Sequence, residues 1–308
     1  MPLLGLLSGR SRVGIAPGAP YFSFRTHIGI QIEQEMVLIG LNLTVDCADR
    51  ILYNPNETLG GRGSDAMASE AEFIEAAMKG DATKIGSLLK ADPGLVRAVG
   101  DHLKTALHWA AEMDQAEVAA ALVEAGADIE ARTSWGAAPF DWAATMGSSR
   151  VADVLLARGA TGFTLITAAS LGKLSAVRRI IESGEDLSAH RKRDAPTAPD
   201  DHWPPDSAHI RKDIISDALY AAARNGHRDV VAYLLDQGAD IDAMGVFGAT
   251  GLHWAALNGH QEAVEFLVKR GANLTIRDSK FDATPEEWAQ EGDHSSIGEM
   301  LRQARQTA

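Results

Sequence analysis

The sequence predicts an all-α solenoid of stacked helix–turn–helix units, and two ladders of glycine with one shared rhythm predict it. The first is Gly126, Gly159, Gly184, Gly238 and Gly271, with steps of 33, 25, 54 and 33 residues. The second is Gly147, Gly172, Gly226 and Gly259, with steps of 25, 54 and 33. Both ladders lose eight residues at one place and gain twenty-one at the next. A tandem repeat behaves this way when a deletion and an insertion fall between its units.

The unit is clearest from Thr250 to Asn273. Thr250 is placed to cap a helix whose first amides have no partner inside it. Leu252-His253-Trp254-Ala255-Ala256 follow, and the small alanine pair lets a neighbouring backbone come close. Gly259 turns the chain into a second helix that carries Val264, Leu267 and Val268 on one face. Gly271 stands where a positive φ is needed to end that helix. The polar residues beyond it form a projecting turn that leads to the next cap. Neither helix buries its apolar face alone, so the units must stack.

This pattern resembles the ankyrin repeat, with its T-P-L-H-x-A-A, G-H and L-L-x-x-G-A-D phrases. The residues that carry the resemblance are Thr105-Ala106-Leu107-His108-Trp109-Ala110-Ala111, Gly251-Leu252-His253-Trp254-Ala255-Ala256 and Thr284-Pro285. It covers roughly residues 70–304 and gives seven units, at about 70–99, 100–132, 133–161, 162–190, 216–244, 245–277 and 278–304. The two end units are degraded, as capping repeats are. The first begins Phe73-Ile74-Glu75-Ala76-Ala77 and the last Glu286-Glu287-Trp288-Ala289. In the ankyrin pattern the signature histidine braces the turn between units, a role expected here for His108 and His253. Asp141, Ile166, Tyr220 and Glu287 occupy that position elsewhere, so this histidine ladder is broken. Trp109, Trp142, Trp254 and Trp288 share the next position. They are expected to pack between helices, with an aromatic ladder that grips a ligand as the other reading.

The resemblance implies a non-enzymatic scaffold or adaptor that binds a protein through its concave face, lined by turn tips and first-helix ends. The candidate partner-binding residues are Trp135 and Phe247 at turn tips, and Met113, Met146, Leu171, Arg224, Asn225, Leu257 and Asn258 at first-helix ends. Met113, Met146, Leu171 and Leu257 would form an apolar strip, and Met suits a surface that must mould to its partner.

Between the third and fourth units the projecting turn is missing, and Ala160–Leu165 passes almost directly from one helix pair to the next. Between the fourth and fifth, the turn swells into a loop at 191–215, whose prolines (Pro196, Pro199, Pro204, Pro205) argue against regular structure. Trp203 is the residue of this loop with enough apolar area to anchor a contact. The loop is either a recognition element or a lid over the notch left by the deletion. Shortening Arg191–Asp213 is expected to leave folding intact. A metal-dependent hydrolytic or ligand-binding reading would centre on His190, His202 and His209 with Asp200, Asp201 and Asp206. Their spacing matches no helix-face or tight-turn ligand pattern. Neither a P-loop, a nucleophile elbow nor an HExxH motif occurs in the chain, so no catalytic residue and no cofactor is expected.

Composition narrows the partners. The 308 residues are 45% hydrophobic and carry a formal net charge of −13. Such a surface repels phosphate backbones, which argues against nucleic acid and for a protein partner with a basic patch. Cys47 is the only cysteine, which excludes an intrachain disulfide framework. The apolar run Met36–Leu41 is too short to span a bilayer, and a cytoplasmic location is expected. Residues 1–66 contain five arginines and no lysine and fail as a signal peptide. They are expected to be a weakly ordered extension or to hold a short hairpin over 28–45, ahead of a repeat domain at 67–308. Whether they belong to the native start is open at this stage.

Overall fold

The computed structural model describes residues 64–134, 136–184, 187 and 210–307. Among them, fourteen α-helices form seven consecutive antiparallel pairs, one for each predicted unit. Ser64–Lys79 (α1) pairs with Ala82–Ala91 (α2), Ala106–Glu112 (α3) with Ala116–Glu124 (α4), and Pro139–Met146 (α5) with Ser149–Ala157 (α6). Then come Leu165–Ser170 (α7) with Leu174–Glu182 (α8), and Ile210–Arg224 (α9) with Arg228–Asp236 (α10). Gly251–Leu257 (α11) with Gln261–Lys269 (α12), and Pro285–Glu291 (α13) with Ser295–Thr307 (α14), complete the stack. First helices pack on first helices along the whole series, and second helices pack on second helices on either side of the α6–α8 step. The helix α1 begins at Ser64, three residues before the predicted boundary at Met67. Residues 1–63, with the expected hairpin, lie outside the described residues.

Five of the first helices, α3, α5, α7, α11 and α13, are six to eight residues long, and each is started by a reciprocal bond at its cap. Thr105 caps α3, and His108 Nδ1 accepts the Thr105 backbone N–H at 3.2 Å. His253 Nδ1 accepts from Thr250 N–H at 3.1 Å. Where histidine is absent, another side chain accepts the cap N–H: Asp141 from Ala138 at 3.1 Å, Thr167 from Thr164 at 2.8 Å and Glu287 from Thr284 at 2.7 Å. In the fourth unit this residue is Thr167 rather than the expected Ile166, because α7 begins later and is only six residues long. The small alanines, among them Ala110, Ala111, Ala143, Ala144, Ala255 and Ala256, are fully or almost fully buried, so neighbouring first helices approach closely.

A second ladder of histidines, not read from the sequence, ties the loops between paired helices. His227 donates from Nε2 to Ser170 O of the unit before it at 2.9 Å. Its ring lies where a side chain on Gly172 would go: a Cβ there would sit 2.5 Å from His227 Nδ1. His260 stands in the same relation to Gly226, at 2.6 Å. Those glycines are thus required by the neighbouring unit as well as by their own positive φ of 67° and 77°.

The insertion ends sooner than predicted. Helix α9 begins at Ile210 and takes in the last six residues of the 191–215 segment. Ile214 and Ile215 are 1% and 2% exposed and belong to the core with Ala218, Leu219, Ala222 and Ala223. Cutting Arg191–Asp213 would therefore remove the first turn of a packed helix, contrary to the expectation that this segment is dispensable. The reason is spacing: Ile214, Ala218 and Ala222 recur at helical intervals and put one continuous stripe against α7. Residues 188–209, with Trp203 and the candidate metal ligands His190, His202, His209, Asp200, Asp201 and Asp206, lie outside the described residues.

His108 and His253 are 0% exposed, and each also donates from Nε2 to the next unit's turn, to Ala137 O at 3.1 Å and Ala283 O at 3.2 Å. Both nitrogens are satisfied only in the neutral ring protonated at Nε2. Burial, the largest influence, lowers both rings from 6.5 to about 4. The unfolded chain therefore binds these two protons at higher pH than the folded one. Their stabilisation is complete above pH 6.5 and is lost as pH falls from there towards 4, amounting to about 3 kcal/mol per ring. Urea midpoints should fall across that window, and His253→Asn should reduce the slope. A midpoint independent of pH between these limits would show that the rings are charged in the fold.

Candidate functional site

The candidate face consists of the turns that precede each first helix and the ends of those helices. Neighbouring turns are linked to each other: Ser134 N–H donates to His102 O at 2.8 Å, and Ser279 N–H to Phe247 O at 2.7 Å. An isolated antiparallel bridge closes the turn at Val99–Thr105 and another at Met244–Thr250. At the tip of one turn Leu103 is 51% exposed, and at the bridged bases Val99 is 42% and Met244 55% exposed. Phe247 is half-buried at a φ of +64°, a region that bulky residues rarely adopt. Ring contacts hold it there, with Trp254 stacked at 6.4 Å and Phe281 edge-on at 5.9 Å.

Two aromatic–cation clusters lie beneath the tips. In units two and three, Lys104 Nζ sits 4.2 Å above the Trp109 ring and 4.5 Å above the Trp142 ring. Its charge is met by Glu112 Oε2 at 2.7 Å, with both side chains at 5% exposure or less. Trp142 Nε1–H donates to the same carboxylate oxygen at 3.2 Å. In units five to seven, Tyr220, Trp254, Leu257 and Trp288 form a buried group with Phe247 and Phe281 against it. Trp254 and Trp288 meet edge to face at 5.1 Å, and Arg224 lies 4.4 Å over Trp254. Trp288 Nε1–H donates to Asp278 Oδ2 at 3.0 Å, and Asp278 also accepts from the backbone N–H groups of Lys280, Phe281 and Ala283.

The predicted site residues divide accordingly. Leu171 and Leu257 are 5% and 3% exposed, so they fill the core and offer nothing to a partner. Met146 is half-buried against that core, and Met113 is half-buried as the C-cap of α3. The expected apolar strip is therefore interrupted at two of its four positions. The reason is that first helices in a stack this close leave no room for a branched side chain to stand outside it. Asn225 and Asn258 hold the stack together: Asn225 Nδ2 donates to Ser170 O at 2.8 Å, and Asn258 Nδ2 to Arg224 O at 3.0 Å. Phe247 and Arg224 remain on the face, and Trp135 and Trp203 lie outside the described residues. The tryptophans pack as expected, with Trp142, Trp254 and Trp288 no more than 5% exposed and Trp109 half-buried. Sequence reasoning missed Leu103, Met244, Lys280 and Phe281. Their signal was position in the turn, the same that pointed to Phe247. Among the described residues no group of His, Cys, Asp and Glu could hold a metal ion, and no helix is long and apolar enough to cross a membrane.

Seven stacked helix pairs with hydrogen-bonded turns and capping Thr–His boxes define an ankyrin-repeat solenoid. Residues 73–164 and 165–278 match the family described as ankyrin repeats (3 copies), and the chain belongs to that family. It is similar to the palmitoyltransferase Hip14 of Drosophila melanogaster, with 35% identity over 95 residues. That match takes in 30% of this chain and spans only 12% of the relative's length. Among solved structures it is similar to the human ASB11 ankyrin repeat domain, at 23% identity, with 74% of this chain and 96% of that chain covered and a TM-score of 0.40.

The Lys104–Glu112 pair makes a sharp test of the first cluster. Glu112→Gln keeps an acceptor for Trp142 but takes the Glu112 carboxylate charge from the buried ammonium, and should cost about 3–5 kcal/mol. Lys104→Met together with Glu112→Gln should cost much less than the two changes added. Urea unfolding of the four chains measures the coupling, and strict additivity would show that the pair is solvated.

Proposed function

We propose that this chain is a non-enzymatic interaction scaffold or adaptor, acting in the cytoplasm, that binds a protein partner across its turn tips and first-helix ends. One observation carries the reading. Large apolar side chains of the turns, Leu103 at a tip and Met244 at a bridged base, are exposed on turns fixed by bridges and by bonds to neighbouring turns. Rigid presentation of apolar area lowers the entropy lost on binding. Ankyrin repeats in general mediate protein–protein contacts, which supports the same reading. The likeness to a palmitoyltransferase is read as one between repeats, since the match spans 12% of that protein, and acyl transfer is not carried over. The 191–209 segment is a further candidate contact through Trp203.

Residues 67–308 hold 36 acids against 24 bases, so the partner is expected to present a basic patch and to associate more slowly as salt rises. Stopped-flow association at low and high ionic strength tests this, and a rate indifferent to salt would remove electrostatic steering. Phe247→Ala should weaken the complex by about 1–3 kcal/mol. If binding instead survives loss of Phe247 and of exposed Met244 and Leu103, the partner uses another face.

A further inference from the structure

We propose that Arg224 anchors a carboxylate, an Asp or Glu side chain or a chain terminus, presented by a protein partner docked on units five to seven. The inference deepens the protein-binding reading and rests on it. The chain supplies its own template for such a site. The repeat register puts Arg224 where the second unit has Glu112, each two residues before the residue that turns the chain, Gly226 and Asp114. Each also contacts the equivalent tryptophan of the following unit. Glu112 takes the Trp142 N–H at 3.2 Å and the Lys104 ammonium at 2.7 Å, so cation, acid and indole N–H are all satisfied within the chain.

At Arg224 the acid is replaced by a cation and nothing compensates. The guanidinium lies 4.4 Å over the Trp254 ring, and it makes no ion pair among the described residues. The Trp254 Nε1–H is buried with no acceptor among them either. Trp109 Nε1 shares that lack, but the cation on its ring is already neutralised by Glu112. Among the described residues, only at Trp254 do a cation without an ion pair and an unmet N–H fall on one indole. The acid of this cluster, Asp278, cannot serve, because three backbone N–H groups and Trp288 already occupy its oxygens. A second cation, Lys280, lies 4.5 Å over Phe247 in the same cluster. What is missing beside Arg224 is a negative charge, and the half-buried guanidinium, not the buried indole N–H, is the group that a partner can reach. A carboxylate matches the planar fork of Arg224, which packing on the tryptophan holds in place before any partner arrives.

The probe is a phage-displayed library of random peptides, selected on the full chain. Recovered peptides should fix Asp or Glu at one position, against the repulsion of a net charge of −13. A synthetic peptide from that pool should bind Arg224→Gln about tenfold or more weakly, with Arg224→Lys between the two. Changing the peptide's acid to its amide should weaken binding to the unaltered chain by a similar factor and to Arg224→Gln by little. If Arg224→Gln does not fold, the acid-to-amide change on the unaltered chain gives the same answer. Peptides that depend on Phe247 but carry no fixed acid, or that bind both chains alike, overturn the anchor and leave the protein-binding face standing. If no recovered peptide responds to Phe247→Ala or to Arg224→Gln, the face and the anchor both fall.

Discussion

The structure depends on a polar tie that crosses from each unit to the next. An ankyrin unit has little interior of its own, and the apolar side of every helix is completed by a neighbour. That arrangement fixes distance but not register, since alanine-lined helices can slide. Buried His108 fixes register by joining the cap of its own helix to the turn carbonyl of the next unit. His253 repeats the tie four units later. A second tie, from His227 to Ser170 O, locks the opposite end of the first helices. Hydrogen bonds buried from water are costly to leave unmade, so a register slip of one residue would be penalised wherever these ties occur.

The stacked architecture was legible because it rests on residues whose roles are local. A glycine that ends a helix and a threonine that caps one can be read wherever they recur, and their shared spacing sets the register of the units. What could not be read is what depends on two units at once. Lys104, Trp109, Trp142 and Glu112 are unremarkable one by one, and their mutual contacts appear only when consecutive units are stacked. Leu171 and Leu257 were misread for the same reason, since their burial is completed by neighbouring units. The start of α9 is a different case. Its Ile214–Ala218–Ala222 stripe is in the sequence, but four prolines upstream drew the whole stretch into the insertion.

The two aromatic clusters show how one repeat position can serve opposite ends. In units two and three the position that faces outward in the repeat is used inward, since acid and base neutralise each other against two indoles. That part of the face is saturated. In units five to seven the equivalent place holds arginine, and the acid there is committed to backbone and to Trp288. The unevenness of the face, more than its total charge, is what gives it an address.

The missing turn before the fourth unit has a consequence for how the molecule comes apart. The buried apolar residues form two large bodies, one running from Phe73 to Leu155 with Leu171, the other from Leu165 to Leu301. Phe163 packs against both, and it is 6.4 Å from the Phe140 ring. Beside it the seam is held by Ser170 and Asn225, which both donate to Ala144 O two units back from α9. In a stack whose stability is a sum over neighbouring interfaces, cooperativity is only as strong as the weakest junction. This junction, held by Phe163, Leu171 and a few hydrogen bonds, is where the solenoid is expected to part first, and the cluster around Arg224 lies beyond it, in units five to seven.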